Sequence, residues 1–72
     1  LNYVKGVTMY IIKVYVNHKL TKTVISNDKS LIMERYKSLA GAAEQYTLGS
    51  GYDTRVELYK NDKLMSYVET EF

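Results

Sequence analysis

The chain has 72 residues, ten Lys and Arg against eight Asp and Glu, eight tyrosines, and no cysteine, proline or tryptophan. That length holds one domain, and the missing cysteines exclude disulfides and thiolate metal sites. A net charge of +2 without clustered Lys or Arg argues against a strongly basic nucleic-acid domain and equally against an acidic mimic, and no apolar run approaches the roughly 20 residues that cross a bilayer.

Residues 1–8 (LNYVKGVT) precede an internal methionine, Met9, at which strand patterning starts. Lys5-Gly6-Val7-Thr8-Met9 can be encoded AAA GGA GTG ACN ATG, which contains AAGGAG, a strong bacterial ribosome-binding sequence, just upstream of ATG. Residues 1–8 are therefore expected to be a translated leader ahead of a domain spanning 9–72. The alternative is that Tyr3, Val4 and Val7 extend the first strand.

Tyr10 to Val16 is rich in Ile, Val and Tyr and reads as a strand. Asn17-His18 suits a two-residue turn, because Asn and His tolerate positive φ better than most residues. Leu20 to Ser26 returns as the second strand, and Asn27, Asp28 or Ser30 offers a helix N-cap. From Lys29 to Thr47 the apolar residues Ile32, Tyr36, Leu39, Ala43 and Tyr46 form one helical stripe. Gly49-Ser50-Gly51 closes the helix. Tyr52 to Lys60 and Lys63 to Thr70 form a second hairpin turning at Asn61-Asp62.

The two hairpins repeat one motif. Val14-Tyr15-Val16-Asn17-His18-Lys19-Leu20 reappears as Leu58-Tyr59-Lys60-Asn61-Asp62-Lys63-Leu64, and Val24 and Val68 follow at the same distance. The expected fold class is α+β, a ββαββ chain whose four-stranded sheet is built from two hairpins with one helix packed on one face.

Counting outward from two-residue turns fixes which side chains share a face. Tyr10, Ile12 and Val14 then oppose Ile25, Thr23 and Thr21 on the helix side, as Thr54, Val56 and Leu58 oppose Glu69, Tyr67 and Met65. The uncovered side is expected to carry Ile11, Tyr15, Leu20, Val24, Tyr59, Leu64 and Val68, together with Arg55. A slip of one residue at either turn exchanges the faces.

The element order, with the turn Val16-Asn17-His18-Lys19, resembles the immunoglobulin-binding domains of streptococcal protein G within the broader β-grasp type. The resemblance covers Met9 to Thr70 and implies a topology in which the first and last strands lie parallel in the middle. A plain antiparallel arrangement of the two hairpins is the alternative. No binding residues carry over, and fold does not imply function.

Little in the chain carries chemistry. His18, the only histidine, sits in a turn without ligating companions. Nucleophilic catalysis needs Ser or Cys beside a base, and Asp53, Glu57, Glu69 and Glu71 read as charges that guard strand surfaces rather than as an acid–base pair. Gly49-Ser50-Gly51 lies at the wrong helix end for a phosphate loop. These residues predict no enzyme, no cofactor and no metal.

The apolar outer row predicts an interface. Small size, the missing catalytic set and the candidate leader resemble, in type rather than motif, the short accessory proteins that phages make against host factors. That resemblance implies a non-catalytic binding protein, working in the cytoplasm of a bacterial host, that modulates a host protein, including an immune one, by direct contact. Expected partners are a second copy of the chain and a host protein, with no membrane. The alternative is an oligomeric protein that sequesters a small nucleotide or binds nucleic acid, with Arg55, Lys22, Tyr59 and Tyr67 as contacts.

Overall fold

A computed structural model describes residues 6–72. It contains β1 (Tyr10–Val16), β2 (Lys19–Ser26), α1 (Lys29–Ser50), β3 (Thr54–Lys60) and β4 (Lys63–Thr70). The chain is α+β, with the single helix between two hairpins and one open four-stranded sheet in the order β2-β1-β3-β4. Every neighbouring pair of strands is antiparallel. Of the candidate leader, residues 1–5, including Tyr3 and Val4, lie outside the described residues. Gly6 has φ +82, and Val7 to Met9 precede the first strand.

The middle of the sheet is β1 beside β3, not β1 beside β4. This corrects the topology implied by the protein G resemblance and matches the plain antiparallel alternative. The reason lies in the helix-facing positions. β3 offers Val56 and Leu58, both buried, whereas β4 sets Ser66 against Leu58 and Thr70 against Thr54. With only Val68 apolar on that side of β4, the strand with the more apolar inward face gains more from a central place under the helix.

The sequence repeat is also a repeat in space. β1 and β3 pair from Tyr10↔Lys60 to Val16↔Thr54, with Lys13↔Glu57 at the midpoint. Lys13 and Glu57 are equivalent positions of the repeat, so a pseudo-two-fold axis passes between them and exchanges the hairpins. Both turns have two consecutive residues at positive φ, Asn17 (48°) with His18 (68°) and Asn61 (47°) with Asp62 (65°). This is the type I′ pattern whose twist suits a tight hairpin.

Both hairpins carry a bulge at the same repeat position. The partner of Val14 is Lys22 and that of Tyr15 is Leu20, which leaves Thr21 unpaired in the ladder. Leu58 likewise pairs with Ser66 and Tyr59 with Leu64, leaving Met65 as the extra residue. An extra residue inverts the inside–outside alternation of everything beyond it. The expected pairs next to each turn, Tyr15 with Leu20 and Tyr59 with Leu64, form as counted. The pairs farther out do not. Ile12 opposes Val24 rather than Thr23, and Val56 opposes Val68 rather than Tyr67.

The helix covers the face bearing Tyr10, Ile12, Val56 and Leu58, which cluster with Ile32, and Val14, Val24, Met33, Tyr36, Leu39 and Ala43 pack against that cluster. Ile12, Ile32 and Val56 are fully buried, each contributing about 1.5–3 kcal/mol by leaving water. Asp28 is the N-cap, its carboxylate accepting the Leu31 N–H at 3.1 Å. The helix runs through Gly49 and Ser50, so of the three residues expected to end it only Gly51 acts, at φ +80 with its N–H donated to the Thr47 carbonyl. The expected stripe holds as far as Ala43. Tyr46 is exposed and Thr47 is fully buried in its place, where the Thr47 and Thr54 hydroxyls meet at 2.8 Å and Thr54 donates to the Ala43 carbonyl at 3.2 Å. A satisfied pair of hydroxyls makes that burial tolerable.

Candidate binding face

Among the described residues, the helix leaves the other side of the sheet uncovered, although Ile11 on that side is only 7% exposed. Parity along the strands arranges it in three rows across β2, β1, β3 and β4: Leu20–Tyr15–Arg55–Glu69, Thr23–Lys13–Glu57–Tyr67 and Ile25–Ile11–Tyr59–Leu64. Of the residues expected on this face, the structure brings together Ile11, Tyr15, Leu20, Tyr59, Leu64 and Arg55. Val24 and Val68 are corrected to the helix side by the two bulges, and Lys22, which pairs with Val14, goes with them. Ile25 and Tyr67 take the vacated places. Tyr67 therefore joins Arg55 and Tyr59, while Lys22 lies on the opposite surface from all three.

Glu57 organises the centre. Arg55, Glu57 and Tyr59 alternate on one strand, so all three project the same way. Glu57 is 8% exposed. Its Oε2 accepts from Arg55 Nε at 2.7 Å and its Oε1 accepts from the Tyr59 hydroxyl at 2.7 Å. Burial alone would raise the Glu57 pKa, but the hydrogen bonds from Arg55 and Tyr59 outweigh it and hold the carboxyl below its ordinary value. The same bond, with burial and the Glu57 charge, pushes the Tyr59 phenol up to about 12. Tyr15 is raised by burial first and by Glu57 second.

Arg55 has further partners on this face. Besides Glu57 it reaches Glu69, Nη1 to Oε2 at 3.6 Å, and its guanidinium lies 4.0 Å from the centre of the Tyr67 ring. Lys13 Nζ sits 4.8 Å from the centre of the Tyr59 ring. Around this locked centre the rim is apolar and solvated: Leu20 is 52% exposed, Ile25 50%, Leu64 46% and Tyr67 52%. Comparison with family models, curated proteins and solved structures finds no match. The face must therefore be read from its own chemistry.

Glu57 is ionised at neutral pH and both its oxygens are occupied, so it is poorly placed to shuttle a proton. A shallow depression of about 320 Å³ lies between Tyr15, His18, Asp53, Arg55, Glu57 and Glu69. Its carboxylates oppose an anionic ligand. Asp53 is itself occupied by the Phe72 N–H at 3.0 Å. Among the described residues no group of three or more His, Asp or Glu is placed to hold a metal ion, and no helix is long and apolar enough to cross a membrane.

Sequence reasoning missed Glu57 and Ile25 as members of this face and brought Tyr67 to Arg55 and Tyr59 only through a register slip of the second hairpin, which the bulge supplies. The available signal was the match of Val24 to Val68 in the repeat, since paired apolar positions in a duplicated hairpin suit the shared core. Placing both valines inside requires one extra residue after each turn.

Proposed function

We propose that this chain is a small non-catalytic protein-binding module whose contact surface is the open face of its sheet, in keeping with an accessory protein that modulates a host factor by occupying it. The observation that supports this reading is the apolar rim of Leu20, Ile25, Leu64 and Tyr67 around the Arg55–Glu57–Tyr59 centre. Exposed aromatic and aliphatic side chains with an arginine among them are the residue types enriched at protein interfaces; here the charges sit at the centre of the face and the apolar side chains at its edges. Nucleotide binding is the weaker reading. Arg55 is bound by two carboxylates and a ring, and Lys22 is on the other side of the sheet.

Site-specific photocrosslinking in bacterial cells tests the reading. Benzoylphenylalanine in place of Leu20, on the open face, is expected to give discrete protein adducts, whereas the same group in place of Leu48, on the exposed side of the helix, is expected to give none. No adduct at position 20, or equal labelling at both positions, overturns the open-face reading.

A further inference from the structure

We infer that the occupant of the open face is a second copy of this chain, packed sheet to sheet about a two-fold axis that runs along the strands between β1 and β3. The inference rests on the open-face reading of the sheet, puts a second copy in the place given there to a host factor, and adds the register.

The argument is self-complementarity. In an isologous contact each residue meets a defined counterpart, and the reverse contact occurs by symmetry. An axis along the strands exchanges β1 with β3 and β2 with β4 while keeping each row against itself. Lys13 then faces Glu57 of the second copy, Tyr15 faces Arg55, Ile11 faces Tyr59 and Ile25 faces Leu64. Opposite charges meet at the centre, apolar side chains meet along one complete row, and Leu20 meets Glu69 at the ends of the third. The competing axis, across the strands, sets Lys13 against Lys13 and Glu57 against Glu57. Like charges in a desolvated centre are strongly unfavourable, so the charge pattern selects the first arrangement. Stacked sheets cross at about 30°, which displaces the corners most and leaves Lys13 and Glu57, nearest the axis, in register.

The size is consistent with a reversible dimer. Strand spacing and rise give the face an outline of about 450 Å². Two copies then cover about 900 Å², the scale of weak or transient association rather than of an obligate dimer. Ile25 and Leu64, each about half exposed in the single chain, supply most of the burial, Ile11 being already shielded at 7%, and the Lys13–Glu57 contacts set the orientation.

Sedimentation equilibrium of the full chain and of two variants tests the register. Ile25→Lys and Leu64→Glu replace side chains that are about half exposed, so circular dichroism and the melting temperature of each are expected to stay near wild type. Wild type is expected to form a dimer. Each variant alone is expected to self-associate at least about tenfold more weakly, the loss typical of a residue that matters at an interface core. Mixed together, the two are expected to recover the dimer, because Lys at 25 meets Glu at 64 across one contact while Ile25 meets Leu64 across the other.

If wild type dimerises and the mixture does not recover, this register is overturned. If wild type stays monomeric while position 20 crosslinks to another protein, the second-copy inference fails and the open-face reading survives. If position 20 gives no adduct, both fail. Should either variant not fold, Thr23→Lys paired with Tyr67→Glu repeats the same exchange in the central row.

Discussion

Asn17 and Asn61 hold each other's hairpins. The Asn17 side-chain oxygen accepts the Asp53 N–H at 3.1 Å, and that of Asn61 accepts the Met9 N–H at 2.9 Å. Each asparagine also donates its own backbone N–H back, to the Asp53 carbonyl at 2.8 Å and the Met9 carbonyl at 2.9 Å. Met9 and Asp53 each stand immediately before the first strand of a hairpin and occupy equivalent repeat positions. The asparagine retained in both copies thus makes the turn and latches it to the start of the other copy.

Asn17→Ala and Asn61→Ala should each destabilise the domain. Alanine is strained at positive φ and lacks the accepting oxygen, so a loss of about 1–3 kcal/mol is expected at either site. The latches lie at opposite ends of the sheet, so the double variant should lose the sum to within about 0.5 kcal/mol. Asparagine to glycine, which relieves the strain alone, should recover part of the loss. Urea midpoints at unchanged slope would measure all of these, and a fully neutral alanine variant would remove the latch from the account.

Glu57 couples stability to pH at both ends of the scale. Its carboxyl is held below the ordinary value in the folded state, so its contribution is present above the unfolded pKa near 4.5 and is lost as pH falls through the folded one. Tyr59 is raised to about 12 from 10.0, so its contribution is complete below pH 10 and is lost as pH rises toward 12. Glu57→Gln should flatten both limbs together. In an absorbance titration, with Tyr59→Phe identifying the Tyr59 transition, Glu57→Gln should return that phenol toward 10. An unmoved Tyr59 transition would mean that the 2.7 Å bond does not persist in solution.

Two glycines in and after the helix should respond with opposite signs. A methyl group on Gly41 meets nothing within 4 Å, so Gly41→Ala should stabilise by about 0.5–1 kcal/mol through helix propensity and a less flexible unfolded chain. Gly51 has φ +80, where alanine costs roughly 1–2 kcal/mol, so Gly51→Ala should destabilise. Thermal melts of the two variants give the comparison directly.

The buried hydroxyls of Thr47 and Thr54 form a coupled pair. Because Thr54 donates to the Ala43 carbonyl, the proton between the two hydroxyls comes from Thr47. Thr54→Val strands that donor and should cost about 1–3 kcal/mol. The double variant Thr47→Val/Thr54→Val replaces the pair by an apolar one of nearly the same shape and should lose less than the sum of the singles. Additive losses in the double-mutant cycle would show that the two side chains act independently.

Features written in neighbouring residues were legible from the chain alone. The strands, the Asn-led turns, a helix cap among Asn27, Asp28 and Ser30, the helix over most of its length and the duplication all follow from local propensity and spacing, which a few adjacent side chains determine. The faces were not legible past Thr21 and Met65. One extra residue in each returning strand inverts every position beyond it, and neither residue type marks a bulge. The order of the strands was decided by burial beneath the helix, since the inward face of β3 carries Val56 and Leu58 where that of β4 carries Val68 and Ser66. Glu57 takes its two hydrogen bonds from Arg55 and Tyr59 on its own strand, but its place across from Lys13 and near Tyr15 came only when β1 lay alongside β3. Short-range geometry belongs to the sequence; the composition of the open face belongs to long-range pairing, which one inserted residue per hairpin is enough to redirect.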